Sequence, residues 1–456
     1  MAPPAPTSLT DIAVEQVLSK ANTTAGAHPA KPVSDGWGAE TTTKEPTLRP
    51  LDPTLLTTTL TTSPKPYGMP TNWGKEDVTT DHMIICNWNS TTGWSAPRLQ
   101  PYQRMDLFPT ASCLHYATEC FEGLKAYRGM DGKLRLFRPS RNCARMLTSS
   151  TRIALPTFPP EALESLIKSL LAIDGKKWVP TPGSFLYIRP TMIGTGRALG
   201  VQKPVEASLF IVMTLFPRLD KKPMKLLASS EDTIRAWPGG FGSAKVGANY
   251  GPSLMAQKMA VQRGYDQILW LFGENALVTE AGASNFFVVL KEAGKTILLT
   301  APLEDKIILD GVTRRSIIEL AKERLGTELE VVERKYTMHE LVAAKKEGRF
   351  VEAFAAGTAF FVAPVVAIEF RGEKMEIEMR GEEGVATRVK KWLTEIMWGE
   401  VQHEWGVVIE EKKWEAEVAS EKEVEELKEK MRELMKGRAW LRALEELKLE
   451  KEEKEL

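Results

Sequence analysis

The sequence predicts an α+β chain with two folded regions, and three observations carry that expectation. Its 456 residues give room for two or three domains. Strand-like apolar runs alternate with segments whose apolar residues recur at three- and four-residue steps. A polar connector, PRLDKKPMK, separates two such dense regions. Lys and Arg (60) balance Asp and Glu (60), so no basic excess points to nucleic acid.

Residues 1–75 form a Thr- and Pro-rich extension, expected to be partly disordered apart from a short helix near 9–20. Its last part, 51–75, reads as an extended strand leading into turns. A smaller α+β domain is expected over 76–215. There DHMIICNW and RMDLFP read as strands, CLHYATECFEGLKAYRG as a helix ending in a strand, and KLRLF as a strand. PSRNCARMLTSSTRIAL opens a helix and PPEALESLIKSLLAIDG has helical periodicity, while SFLYIRPTMIG and EASLFIVMTLF read as strands. Residues 216–223 are the linker. The larger domain, 224–410, holds the strands QILWLF, NFFVVL and TILLT and the helix GVTRRSIIELAKERL, which predicts a mixed, barrel-like sheet with helices outside. Residues 411–456 mix Glu and Lys with Leu, Met and Trp near helical spacing, as a charged helical tail or a hairpin broken near Gly437. Such a tail serves either a partner or the chain's own surface.

Four cysteines without a CxxC pair argue against a disulfide framework or a structural zinc site, and five scattered histidines offer no metal motif. No apolar run has the ~18 residues of a membrane span. The first residues lack the order of a secretory signal and carry no arginine before Arg49. A cytoplasmic location is therefore expected over a mitochondrial one, with no membrane, nucleic-acid or metal partner.

Four stretches bear on chemistry. GGFGSAKVGANYG sets Lys245 among glycines that permit tight turns and close approach to a ligand. Lys245 is followed by Val246, so the stretch is no phosphate-binding P-loop. A desolvated lysine is a nucleophile for carbonyl carbon, yet a surface loop would read the same way. In LVTEAGASNFFVV, Glu280 stands between two strands, as a turn residue or as the acidic partner of a protonated ring nitrogen. In ILDGVTRRS, Gly311, Val312 and Thr313 open a helix whose free N–H groups suit a phosphate, with Asp310 as an N-cap in the plainer reading. Gly357, Thr358 and Ala359 make a small-residue turn that is either an anion nest or an ordinary turn.

Taken together and in this order, these stretches resemble the branched-chain amino acid aminotransferases, fold-type IV pyridoxal-phosphate enzymes, with a fungal-like cast. The resemblance runs from about 76 to 410 through TDHM, CFEGLKAYRG, RLFRP, NCARM, LYIRP, IRAWPGG, AKVGANYGPSL, TEAGASNFFVV, LDGVTRRS and GTA. It implies a smaller N-terminal α/β domain, a larger pseudo-barrel domain and pyridoxal 5'-phosphate as cofactor. Lys245 would hold the cofactor as a Schiff base and act as general base. Tyr250 would bond its phenolic oxygen and Glu280 its pyridine nitrogen. Arg145, Gly311, Val312, Thr313 and Thr358 would hold the phosphate. Thr358 and Ala359 would take the substrate's α-carboxylate, with Tyr116, Phe121, Tyr187 and Arg189 around its side chain. The implied reaction is ping-pong exchange of an amino group between a branched-chain L-amino acid and 2-oxoglutarate, in a homodimer with residues crossing into the neighbouring site. The sequence departs from the family at Thr79, in the linker, at Ala283–Ser284 and after the GTA turn. Those departures keep open a different amino acid of specialised metabolism, and a lyase on the same fold. A non-catalytic interaction protein is the remaining alternative, against which Lys245, Tyr250, Glu280 and Arg145 weigh.

Overall fold

The computed structural model describes residues 48–67, 78–216, 222–359, 361–412 and Glu429. The expectations for 1–47, for 217–221 of the linker and for nearly all of the charged tail lie outside the described residues.

A ten-stranded sheet is built mostly from the first half of the chain. Its order runs Thr57–Thr58, Arg98–Pro101, His82–Asn89, Glu206–Thr214, Phe185–Gly194, Leu124–Arg128, Leu134–Phe137 and Gly406–Ile409. Gly93–Trp94 and Glu119–Phe121 pair at its sides. The last strand returns from the end of the second region and pairs antiparallel with Leu134–Phe137. The Pro160–Trp178 helix covers this sheet with Leu163, Leu166, Ile167, Leu170 and Leu171, one apolar stripe at helical spacing.

The second sheet has nine strands, and six of them close a ring. In ring order these are Leu277–Ala281, Gln267–Phe272, Met224–Ala228, Phe361–Phe370, Phe350–Gly357 and Ser284–Glu292. Leu277–Ala281 closes the ring by pairing with Ser284–Glu292 as well as with Gln267–Phe272. The unbroken apolar run NFFVVL follows from burial on both faces. Phe286, Val288 and Leu290 join one core, and Phe287 and Val289 join another under the helices Val312–Leu325 and Val385–Met397.

Three sequence expectations need correction. RMDLFP is not a strand: residues 102–108 find no ladder partner, although Met105 and Leu107 are half-buried in the alternation that suggested one. The stretch from Cys113 holds a helix of one turn, Ser112–Tyr116, ended where Ala117 turns left-handed at φ 50°, and then two strands. Within 51–67, regular strand is limited to Thr57–Thr58, after a 3-10 turn at Pro53–Leu55. Among the described residues, no helix is long and apolar enough to cross a membrane.

Candidate active site

Lys245 does not sit on a loose loop. Its N–H donates to Ser149 Oγ at 2.8 Å, and its carbonyl accepts from the Phe121 N–H at 3.1 Å. The next residue, Val246, bridges Cys120. The stretch is thus sewn to the Pro139–Arg152 helix on one side and to the first sheet on the other. Asn249 closes it by donating to the carbonyls of Phe241 and Ala244 at 2.8 and 2.9 Å. One glycine is required by close approach to backbone, since a Cβ on Gly242 would lie 2.5 Å from the Ile307 carbonyl oxygen; a Cβ on Gly247 would meet the Glu119 side chain, with Oε1 at 2.3 Å.

Lys245 Nζ donates to Tyr250 Oη at 2.9 Å and lies 4.5 Å from the centre of the Phe121 ring. Phe121 packs on Tyr250 with ring centres 5.1 Å apart. Arg189 lies 4.6 Å from the same Phe121 ring and donates from Nη2 to Tyr187 Oη at 3.1 Å, while its buried Nε has no partner. Lys245, Tyr250, Phe121, Tyr187 and Arg189 therefore form one chain of contacts.

Glu280 owes its place to a tight hairpin. Ala281 pairs with Ser284, Gly282 supplies a positive φ of 58°, and Glu280 comes opposite Asn285. Asn285 Nδ2 and the Leu309 N–H both donate to Glu280 Oε1 at 3.2 Å. Arg235 Nη1 lies 2.5 Å from Oε2, yet that oxygen accepts no well-aligned hydrogen bond. Burial pushes the Glu280 carboxyl above its usual range, and Arg235 is the foremost group opposing the rise.

Arg145 is held by Glu122, which is 1% exposed. Its Nε and Nη2 donate to the two Glu122 oxygens at 2.7 and 2.9 Å, and Nη1 to the Asp310 carbonyl at 3.0 Å. Three of its five N–H bonds are used, so two remain for an anion. Burial pushes the Glu122 carboxyl up, but the Arg145 charge and hydrogen bonds more than offset it and hold the carboxyl below its usual range. The neighbouring helix begins at Val312 with Gly311 as its cap residue and no side-chain cap. Asp310 is not the N-cap: its carboxylate pairs with Arg315 at 2.9 Å, which leaves the first N–H groups of the helix open. Arg145, Gly311 and Val312 line a cleft of about 830 Å3. Val312, Thr313 and Thr358 line a small void of about 20 Å3 beside it, together with Lys125. Lys125 Nζ donates to the Ala359 carbonyl at 3.4 Å and so ties the Gly357–Ala359 turn to the first sheet.

Tyr116 stands apart. It is 38% exposed at the end of its short helix, beside the His115 ring. Sequence reasoning missed Glu122, Arg235, Asn285 and Lys125. Glu122 and Lys125 lie inside CFEGLKAYRG and Arg235 inside IRAWPGG; a search for opposite-charge partners of Arg145 and Glu280 would have raised two of them. Among the described residues no group of three or more His, Cys, Asp or Glu could hold a metal ion.

The arrangement offers an amine beside a phenol, a buried carboxylate with one oxygen open, and an arginine with spare donors beside an uncapped helix N-terminus. That is a donor set for a phosphorylated, ring-bearing aldehyde. Residues 119–368 match the family model described as Amino-transferase class IV. The chain is 44% identical over 337 residues to the mitochondrial branched-chain-amino-acid aminotransferase of Schizosaccharomyces pombe, covering 72% of this chain and 78% of that one. It is 44% identical over 376 residues to the cytosolic enzyme of Saccharomyces cerevisiae, covering 80% of this chain and 99% of that one. A solved branched-chain aminotransferase from the thermophilic archaeon Thermoproteus uzoniensis, with norvaline, superposes with a TM-score of 0.58 at 26% identity, over 72% of this chain and 99% of that one. The chain belongs to the branched-chain-amino-acid aminotransferases of class IV.

Proposed function

We propose that the chain moves an amino group between a branched-chain L-amino acid and 2-oxoglutarate by a ping-pong route, with pyridoxal 5'-phosphate held on Lys245. The observation that carries this reading is the Lys245 amine at 2.9 Å from the Tyr250 hydroxyl, within a site that also holds the half-satisfied Glu280 carboxylate. Bound there, the cofactor supplies an electron sink beside the substrate's α-carbon. Arg145 and the N–H groups at Val312 and Thr313 hold its phosphate, with Gly311 admitting close approach and the Thr358 hydroxyl adding a donor. Glu280 Oε2 would accept from its ring nitrogen and Tyr250 would bond its phenolic oxygen. Lys245 Nζ, once free, would take the proton from the substrate's Cα and return it to the cofactor's former aldehyde carbon, on the other side of the amino nitrogen. The N–H groups of Thr358 and Ala359 hold the α-carboxylate. Phe121 and Tyr187 give the side-chain pocket an apolar wall, and Arg189 gives it a cation for glutamate's second carboxylate. Both demands of a two-substrate exchange are met by one pocket.

Purified protein given leucine, 2-oxoglutarate and the cofactor is expected to form glutamate and the matching 2-oxo acid. Parallel lines in double-reciprocal plots would mark the ping-pong route. Pyruvate release from an aminodeoxychorismate-type substrate, without glutamate formation, would overturn this reading in favour of a lyase.

The active form is a homodimer. Leu199 (63% exposed), Val201 (91%) and the helix residues Leu254, Met255 and Met259 (54–69%) are apolar and open to water, as expected of a covered face. Tyr116, 38% exposed, would serve the neighbouring site. Light scattering coupled to gel filtration is expected to give twice the chain mass of 50.8 kDa. A fully active monomer would end the proposal.

A further inference from the structure

We propose that Arg235 is a positioning residue that keeps Glu280 as a carboxylate before the cofactor arrives, so that the ring nitrogen must bring its own proton or draw one from water. The inference rests on the assignment of Glu280 to the ring nitrogen proposed above. Arg235 lies in the segment between the Met224–Ala228 strand and Lys245. Its side chain is 8% exposed and that of Glu280 is 3% exposed, and Nη1 stands 2.5 Å from Oε2. On the other oxygen, Asn285 Nδ2 and the Leu309 N–H both donate at 3.2 Å. Every one of these neighbours favours the ionised acid. The further charges that act on Glu280 are Lys245 and Arg145, both of the same sign as Arg235. Only burial opposes ionisation.

The orphaned lone pair matters here. Oε2 has a charged neighbour but no aligned hydrogen bond, which leaves it free to accept an N–H. If the Arg235 charge is removed, burial meets less opposition and the Glu280 carboxyl is pushed further up, towards the protonated form. A ring nitrogen arriving at that protonated form would find its proton already in the site. With Arg235 in place it finds a bare carboxylate, and a proton enters with it. By linkage, binding that takes up a proton tightens as pH falls.

The test uses apoprotein and pyridoxal 5'-phosphate, with calorimetry in two buffers of different ionisation heat to count protons taken up on binding. Arg235→Gln is expected to take up about one proton fewer per site than the parent, with an affinity that varies less with pH. Arg235→Lys, which keeps the charge, is expected to return to the parent's count, and Glu280→Gln to fall with Arg235→Gln. An Arg235→Gln count equal to the parent's, with Glu280→Gln reduced, overturns the role of Arg235 and leaves the site assignment standing. Both variants equal to the parent would overturn the assignment of Glu280 itself. Should Arg235→Gln not fold, infrared difference spectra of the parent apoprotein on binding decide the matter, with the Glu280 band identified by Glu280→Gln. A carboxylate before binding supports the proposal, and a protonated carboxyl overturns it.

Discussion

Lys245→Ala is expected to reduce transamination by at least about 10²–10⁴-fold, the range for loss of a positioned general base. It is also expected to abolish the visible absorbance of covalently held cofactor. On the proposed assignment two roles vanish together, because one nitrogen would both anchor the cofactor and carry the proton. The fold should tolerate the change. The backbone of Lys245 is pinned by Ser149 Oγ and by the Phe121 N–H, neither of which touches its side chain. Circular dichroism and the dimer mass should therefore match the parent. A small primary amine in the assay is expected to restore part of the rate, since it can do the proton transfer without the tether. Tyr250→Phe removes the partner of Nζ at 2.9 Å together with the hydroxyl proposed for the cofactor's phenolic oxygen, and should keep the absorbance, with its position shifted. Activity of Lys245→Ala within tenfold of the parent would remove Lys245 from the mechanism.

The sequence showed the local parts of this site and hid its long-range partners. Glu280 and Asn285 meet because a two-residue hairpin with Gly282 at φ 58° turns the chain between them, and TEAGASN spells out that turn. Lys245 and Tyr250 are five residues apart in a glycine-rich run whose compactness is local. Strands with two buried faces, such as NFFVVL, were legible as unbroken apolar runs. Glu122 with Arg145 and Arg235 with Glu280 are different: each pair joins separate elements, and no periodicity links the two positions. RMDLFP alternates like a strand but finds no partner in the sheet, and a strand requires one. The return of Gly406–Ile409 to the first sheet is likewise a tertiary event that a short apolar stretch does not announce. Tyr116 is an exposed side chain, and the role proposed for it needs a second copy of the chain.

Glu122→Gln is the second large effect expected, and it falls on stability before chemistry. Glu122 is 1% exposed and Arg145 10% exposed. The carboxylate accepts two hydrogen bonds from Arg145, one from Asn142 Nδ2 at 2.9 Å and one from the Gly123 N–H at 3.1 Å. Removing its charge leaves a guanidinium buried without a counterion, a change that costs about 3–5 kcal/mol in comparable sites. The apoprotein should therefore unfold at lower denaturant, with an unchanged slope if the unfolded states are alike. The pH dependence distinguishes this cause from poor packing. The Glu122 carboxyl is held below its ordinary value of 4.5 in the folded chain. Its contribution is therefore complete above the unfolded value and is lost as pH falls through the depressed folded one. The stability gap between parent and variant should be full at neutral pH and should narrow in acid, below about pH 4.5. A gap that stays constant with pH would assign the loss to shape and not to charge. Pyridoxal 5'-phosphate should then restore part of the lost stability, because its phosphate supplies the two open N–H bonds of Arg145 with the anion that Glu122 no longer provides. The rise in melting temperature on adding the cofactor is thus expected to be larger in Glu122→Gln than in the parent. An equal or smaller rise would mean that Arg145 without Glu122 no longer points at the phosphate, and that Glu122 aims the guanidinium as well as neutralising it.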